Sequence, residues 1–204
     1  MNYLDASELE VYGLEETTPE SAVTAASALM DAHCRRETLG VAEYTERIRL
    51  NGRGVVRLTY LPLATVSPAV TPLKSVKVRY GMPRRGELNS ITGDAALFGI
   101  LDEWTAVGAE MLDFDARTGE VTLPTHPLGF GYHEVEITYT AGLDAMTGAL
   151  KCACAQIVRN CQATPALNVK ANGIDHMQME YFSDSLLDEG VRKLLAPYVA
   201  QKVG

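Results

Sequence analysis

Residues 135–161 read VEITYTAGLDAMTGALKCACAQIVRNC, and two periodicities meet inside them. Val135, Ile137 and Tyr139 alternate with Glu136, Thr138 and Thr140, which is the period of a strand with one buried face. Beyond Tyr139-Thr140-Ala141-Gly142 the pattern changes, and residues 145–163 read as one helix. Gly142 stands at the change and is suited to an unusual backbone angle. The stretch thus predicts a strand that ends abruptly and hands over to a packing helix. It also holds three of the four cysteines, 152, 154 and 161. A helix turns about 100° per residue, so Cys154 and Cys161 share a face with Ile157 while Cys152 points nearly the other way. One ion is out of reach of all three, and structural zinc favours four ligands in close Cys pairs. The cysteines therefore read as helix packing, small buried hydrophobes rather than a metal site.

Outward from this junction, the elements run helices, strands, helices, an α+β order rather than alternating βαβ. Thr18-Pro19-Glu20 reads as a helix start with Thr18 as N-cap. Val23, Ala26, Met30 and Cys34 follow at helical spacing, Arg35 and Arg36 close the helix, and Gly40 is its expected stop. Before it, Asp5 with Glu8 resembles a capping pair ahead of a short helical turn ending near Gly13. In the middle, Tyr44 to Leu50 leads into Asn51-Gly52, a strong hairpin signal toward the strand carrying Val56, Leu58 and Tyr60. Val76, Val78 and Tyr80 alternate again after the prolines at 62, 68 and 72, and FDARTGEVTLP brackets a turn. Residues 82–110, opening on MPRRG, read as an insertion or long loop with a short helix near Ala95 to Trp104. Residues 164–182 read as a mixed connector with Asn172-Gly173. The last helix is expected from Ser183 or Asp184, with Leu187, Val191, Leu194, Leu195 and Tyr198 as its apolar stripe and Pro197 near its end. The expected architecture is α+β, a helical bundle of N- and C-terminal helices with a central antiparallel β module. Its segments are 1–40, 41–142 with the 82–110 insertion, and 143–204.

Composition narrows the function. The chain has 204 residues, is 47% hydrophobic and carries a formal net charge of −8. That suffices for a sizeable core without staples. It argues against nucleic-acid binding by phosphate neutralisation, which needs clustered Lys and Arg. No run approaches the roughly 18–20 apolar residues of a membrane span. The acidic N-terminus lacks the order of a signal peptide, so a cytoplasmic start with reduced thiols is expected.

Chemistry is sparse. The histidines at 33, 126, 133 and 176 form no His-Glu-x-x-His, and there is no Gly-x-Ser-x-Gly or Gly-Lys-Ser/Thr. GFGY, between His126 and His133, reads as a turn. Asp113 and Asp115 flank a turn that favours Asp for local hydrogen bonding. Arg84-Arg85 is the basic doublet of the middle region, either a solvated loop tip or a contact to an acidic neighbour. No catalytic constellation, cofactor or metal site emerges, and a structural rather than enzymatic role is expected.

Several segments, in order, resemble the head–tail connector (adaptor) proteins of tailed phages, prophages and gene transfer agents. ALMDAHCRRETLGVAEYTERI resembles the family's passage from a helix ending at a basic pair to an aromatic-containing strand. LPLATVSPAVTPLKSVKVRYG is similar to its leucine-proline, Ser-Val and strand segment, FDARTGEVTLP to its short Gly-turn hairpin, VEITYTAGL to its strand ending in Tyr-Thr-Ala-Gly, and LLAPYV to the close of its last helix. Together they cover most of residues 25–200, while residues 82–110 and 164–182 depart from the pattern. The resemblance implies a ring of identical subunits, commonly twelve, beneath the portal in the virion neck, assembled in the host cytoplasm. DNA passes through the lumen without sequence-specific binding, and a downstream neck or tail protein docks below; no membrane is involved. It also implies a portal interface on the last helix and tail, at Leu194, Leu195, Pro197 and Tyr198. Intrachain packing is the simpler reading for Leu194 and Leu195, which leaves Tyr198 and the tail as better interface candidates. A different neck or tail-completion protein on a related scaffold is the alternative.

Overall fold

The computed structural model describes residues 2–50, 54–64, 71–80, 103–124, 132–163, 171–174, 177–180 and 186–201. The chain is α+β, and the described residues form two antiparallel sheets, a separate two-stranded hairpin and three α-helices. It divides into two compact units, one formed by residues up to Leu39 with Ala145–Val199, the other by Gly40–Asp144 with the last residues.

In the first unit, helix α1 spans Glu20–Cys34 and buries the expected stripe Val23, Ala26, Met30 and Cys34. Its start lies one residue later than the sequence suggests. Pro19 occupies the N-cap position, and the Thr18 hydroxyl makes no capping bond. The shift takes Thr18 out of reach of the N–H groups at N2 and N3 that an N-cap side chain serves. The helix also stops earlier than Gly40. Arg35 itself takes the left-handed conformation (φ 56°), and the N–H groups of Arg35 and Arg36 close onto Ala32 and Asp31. Upstream, two 3₁₀ turns, Ala6–Glu8 and Glu10–Tyr12, end at Gly13 as expected, and Glu8 reaches back to the Asp5 N–H. Tyr3 ties this segment down: its hydroxyl donates to Asp31 and accepts from the Leu39 N–H at 2.7 Å. Burial, with Asp31 as hydrogen-bond partner, pushes that phenol up to about 12.

Helix α2, Gly148–Ala163, packs on α1 and carries Leu150, Cys154, Ile157 and Val158 inward. Cys154 lies beside Ser27 of α1 with Sγ 3.9 Å from Oγ. Cys161 is only half-buried and Cys152 is exposed, so the expectation of buried packing cysteines holds for Cys154 and fails for Cys152, which the helical angle turns away from the core. Helix α3 is shorter than expected, Glu189–Leu195, and its N-cap is Asp188, whose Oδ1 accepts from the Val191 N–H at 2.7 Å. Ser183 and Asp184 lie outside the described residues. Pro197 falls in a 3₁₀ turn, Ala196–Tyr198, just past the α-helix it cannot extend. Within the expected 164–182 connector, Ala171–Ile174 and Met177–Glu180 pair as a hairpin.

The second unit holds both sheets. We number its strands β1 (Ala42–Arg49), β2 (Val55–Arg57), β3 (Leu73–Tyr80), β4 (Trp104–Val107), β5 (Asp113–Asp115), β6 (Glu120–Thr122) and β7 (Tyr132–Ala141). One sheet has the order β1-β7-β3-β4, the other β2-β6-β5. Val76, Val78, Val135, Ile137 and Tyr139 of the first share one core with Val56 and Val121 of the second. Each such fully buried aliphatic residue contributes about 1.5–3 kcal/mol. Among the described residues, the strands on either side of Asn51-Gly52 do not pair as the expected hairpin but belong to different sheets. β1 pairs with β7 along its whole length and β2 pairs with β6, while Asn51 and Gly52 lie outside the described residues. Nor is all of 82–110 an insertion, because Trp104–Val107 is the edge strand beside β3. The rest of the expected helix, and Arg84 and Arg85 with it, lies outside the described residues.

The β5–β6 turn is the hairpin expected from FDARTGEVTLP. Asp115 Oδ1 accepts from the N–H groups of Arg117 and Thr118 at 2.8 and 3.3 Å, and Gly119 takes a positive φ of 69°. At the end of β7 two distant motifs meet. Leu63 bridges Ala141, the Ala64 N–H donates to the Thr140 carbonyl, and the Gly142 N–H donates to that of Pro62. Gly142 has φ 126°, and a Cβ there would lie 2.1 Å from the Gly40 carbonyl oxygen. Only glycine lets these two backbones approach.

Candidate interaction surface

The outward face of the four-stranded sheet carries a row of charge that local sequence does not reveal. In the strand register Arg49 of β1, Glu134 of β7, Arg79 of β3 and Trp104 of β4 stand side by side, one per strand. The next row is Arg47, Glu136, Lys77 and Ala106. Strand alternation places all eight on one face, opposite the core.

Glu134 is the centre. Its side chain is 5% exposed although it sits on the wet face, because three arginines close over it. Arg47 donates to Oε2 from Nη2 at 2.6 Å and from Nε at 3.0 Å, Arg79 donates to Oε2 at 2.6 Å, and Arg49 donates to Oε1 at 3.3 Å. The hydrogen bonds from Arg47 and the positive charge around it outweigh burial and hold the carboxyl down at about 2. The guanidinium carbons of Arg47 and Arg79 lie 5.1 and 5.2 Å from the centre of the Trp104 ring. Each contact is worth about 0.5–1 kcal/mol and fixes the plane of a long side chain. Lys77 pairs with Glu136 at 3.3 Å, and Lys74 pairs with Glu43.

On the opposite, inward face Glu46 is a second carboxylate held by the fold. It accepts from the Tyr139 hydroxyl and from the Thr59 N–H at 3.1 Å and hydroxyl at 2.5 Å. Burial raises the Tyr139 phenol well above its ordinary range, with the hydrogen bond to Glu46 adding to it. This pair locks Thr59 and Tyr60 against β1, where Tyr44 and Tyr60 stack with ring centres 3.9 Å apart.

The residues expected at a portal interface separate. Leu195 is wholly buried in its own unit, so the side chain is closed to a partner, while Leu194 is 38% exposed where intrachain packing is the simpler expectation. Pro197 is exposed and Tyr198 half-buried. Asp113 and Asp115 do not converge on a site: Asp115 caps its own turn, which lowers its carboxyl. His133 is exposed, whereas His126 and His176 lie outside the described residues. Among the described residues no group of three His, Cys, Asp or Glu is placed to hold a metal ion, and no helix is long and apolar enough to cross a membrane. No protein-family model matches the chain, and no curated protein matches it.

Proposed function

We propose that this chain is a structural subunit of a tailed-phage neck, a head–tail connector (adaptor) that forms a ring beneath the portal and extends the DNA channel. The observation that carries this reading is the order of parts. Helices from both ends of the chain share one unit, and the strands between them build another. The leucine-proline segment and the Tyr-Thr-Ala-Gly strand end, two marks of the resemblance, are hydrogen-bonded to each other. In this reading α1, α2 and α3 form the helical bundle and the sheets form the β module. Leu194, Pro197 and Tyr198 face the portal, and a further neck or tail protein docks below.

The charge balance supports the same role. At −8, the chain has little to hold DNA with, and a channel that repels the duplex lets it slide. The ordered surface chemistry is an array in which arginine and tryptophan, residue types enriched at contact hot spots, surround one glutamate. The subunit is structural and not catalytic, about twelve copies close the ring through heterologous contacts, and its place is the virion neck.

The test is to purify the chain with its cognate portal and follow assembly by electron microscopy and light scattering. A ring, alone or on the portal, is expected. Persistent monomers that also fail to bind the portal refute the proposal. A density for this chain elsewhere in the neck or tail makes it a completion protein instead.

A further inference from the structure

We infer that the charged face of the four-stranded sheet docks on the acidic N-terminal segment of a second copy of this chain, with Arg49 of one entering a cavity of the other. This rests on the self-assembly proposed above and names the contact that carries it.

Charge complementarity selects the occupant. The sheet face holds five cations (Arg47, Arg49, Lys74, Lys77, Arg79) against three carboxylates (Glu43, Glu134, Glu136), a net +2. The whole chain has 18 Lys and Arg against 26 Asp and Glu, so the remainder holds thirteen against twenty-three. The deficit is concentrated at one end. Residues 1–34 contain seven carboxylates, Asp5, Glu8, Glu10, Glu15, Glu16, Glu20 and Asp31, and no Lys or Arg. Glu8 is paired with Lys151 of α2, so a face of +2 meets a segment that keeps six further carboxylates, and the two patches repel their own kind and attract each other. The two patches differ, so the contact is heterologous and propagates to a ring when its rotation closes.

The sheet face is preorganised. Immobilising a rotamer-rich side chain on binding costs about 0.5–1.5 kcal/mol, and Glu134 with Trp104 has already fixed Arg47 and Arg79. Arg49 differs from them: its side chain is 83% exposed and, among the described residues, is held by a 3.3 Å contact to Glu134. It is the arginine with reach.

The acidic segment offers a matching receptor. A cavity of about 280 Å³ lies there, floored by Leu4, Leu9 and Val23 and rimmed by Asp5 and Glu16. Thr18 also lines it, is 8% exposed, and its Oγ1 has no hydrogen-bond partner among the described residues. An apolar floor with a carboxylate rim suits an arginine, whose stem packs on leucine while its head meets the acids.

The experiment is sedimentation velocity on the full chain at about 50 mM and about 500 mM NaCl, where the Debye length falls severalfold. Wild type is expected to self-associate at low salt and dissociate at high salt. Arg49→Glu and Glu16→Arg are each expected to weaken association by about tenfold or more, and the double variant, with the pair reversed in every interface, to recover it. Circular dichroism verifies that each variant is folded. Assembly that is indifferent to both single changes, or a folded double variant that stays as weak as the singles, overturns this contact while leaving the ring intact. A wild-type monomer that binds the portal through the Arg49 face also overturns it, with the portal as occupant. A monomer that ignores the portal refutes the neck role itself.

Discussion

Glu134→Gln removes one charge from the centre of the sheet face and leaves its shape. Holding a glutamate carboxyl at about 2 instead of its ordinary 4.5 corresponds to about 3 kcal/mol of stability at neutral pH. Part of that is screened, because the side chains of Arg47 and Arg49 are 53% and 83% exposed, while that of Arg79 is only 22% exposed. The amide keeps one acceptor and loses the charge, so we expect about 2 kcal/mol of destabilisation at pH 7. The sign in pH is definite. The folded state binds this proton less readily than the unfolded state, so the contribution is complete above about pH 5 and disappears as pH falls toward about 2. The glutamine variant has no such dependence, and the two stabilities converge on acidification. Trp104 is the single tryptophan and lies on the arginines concerned, so urea melts followed by its fluorescence report on this site. Equal stability at pH 7, or a constant gap between the proteins from pH 7 to about 3, refutes the account of Glu134 as the ionised anchor of the array.

Gly142→Ala is expected to cost about 3 kcal/mol or more, since the new Cβ meets backbone atoms of Gly40 and Val41 at a positive φ; thermal denaturation of the variant measures it. Asp188→Ala removes the N-cap of α3 and one of the acceptors of the Asn160 amide, and should lower stability by about 1 kcal/mol in urea melts, with Asn in its place restoring most of it. Thiol titration with a disulfide reagent should modify exposed Cys152 first and half-buried Cys161 more slowly. Cys34, buried and pushed up to about 11, and Cys154 should react only on unfolding, and fast modification of either refutes their place in the core.

What the amino-acid sequence determines by itself is periodic and local. Val135, Ile137 and Tyr139, or Val76 and Val78, face a core because alternate side chains on a strand must, whatever the strand pairs with. The α1 stripe, the opposed Cys152 and Cys154, the Asp115 turn and the glycine at 142 follow from backbone geometry within a few residues. Tertiary structure decided the partners. Asn51-Gly52 signals a hairpin, yet β1 gains eight paired residues with β7, far along the chain, and shares a core there that a local hairpin does not offer. Trp104 looked like the end of a helix until β3 supplied an edge and two arginines supplied its stacking partners. The ends of α1 and α3 shifted by one or more residues because caps are chosen by where the chain must turn. The Glu134 array was the least legible feature, since its arginines lie 55 to 87 residues away in sequence. The one trace was charge in the wet phase of three strands, Arg47 and Arg49, Lys77 and Arg79, Glu134 and Glu136. Alternation said that these residues point outward; only the strand order β1-β7-β3-β4 made them neighbours.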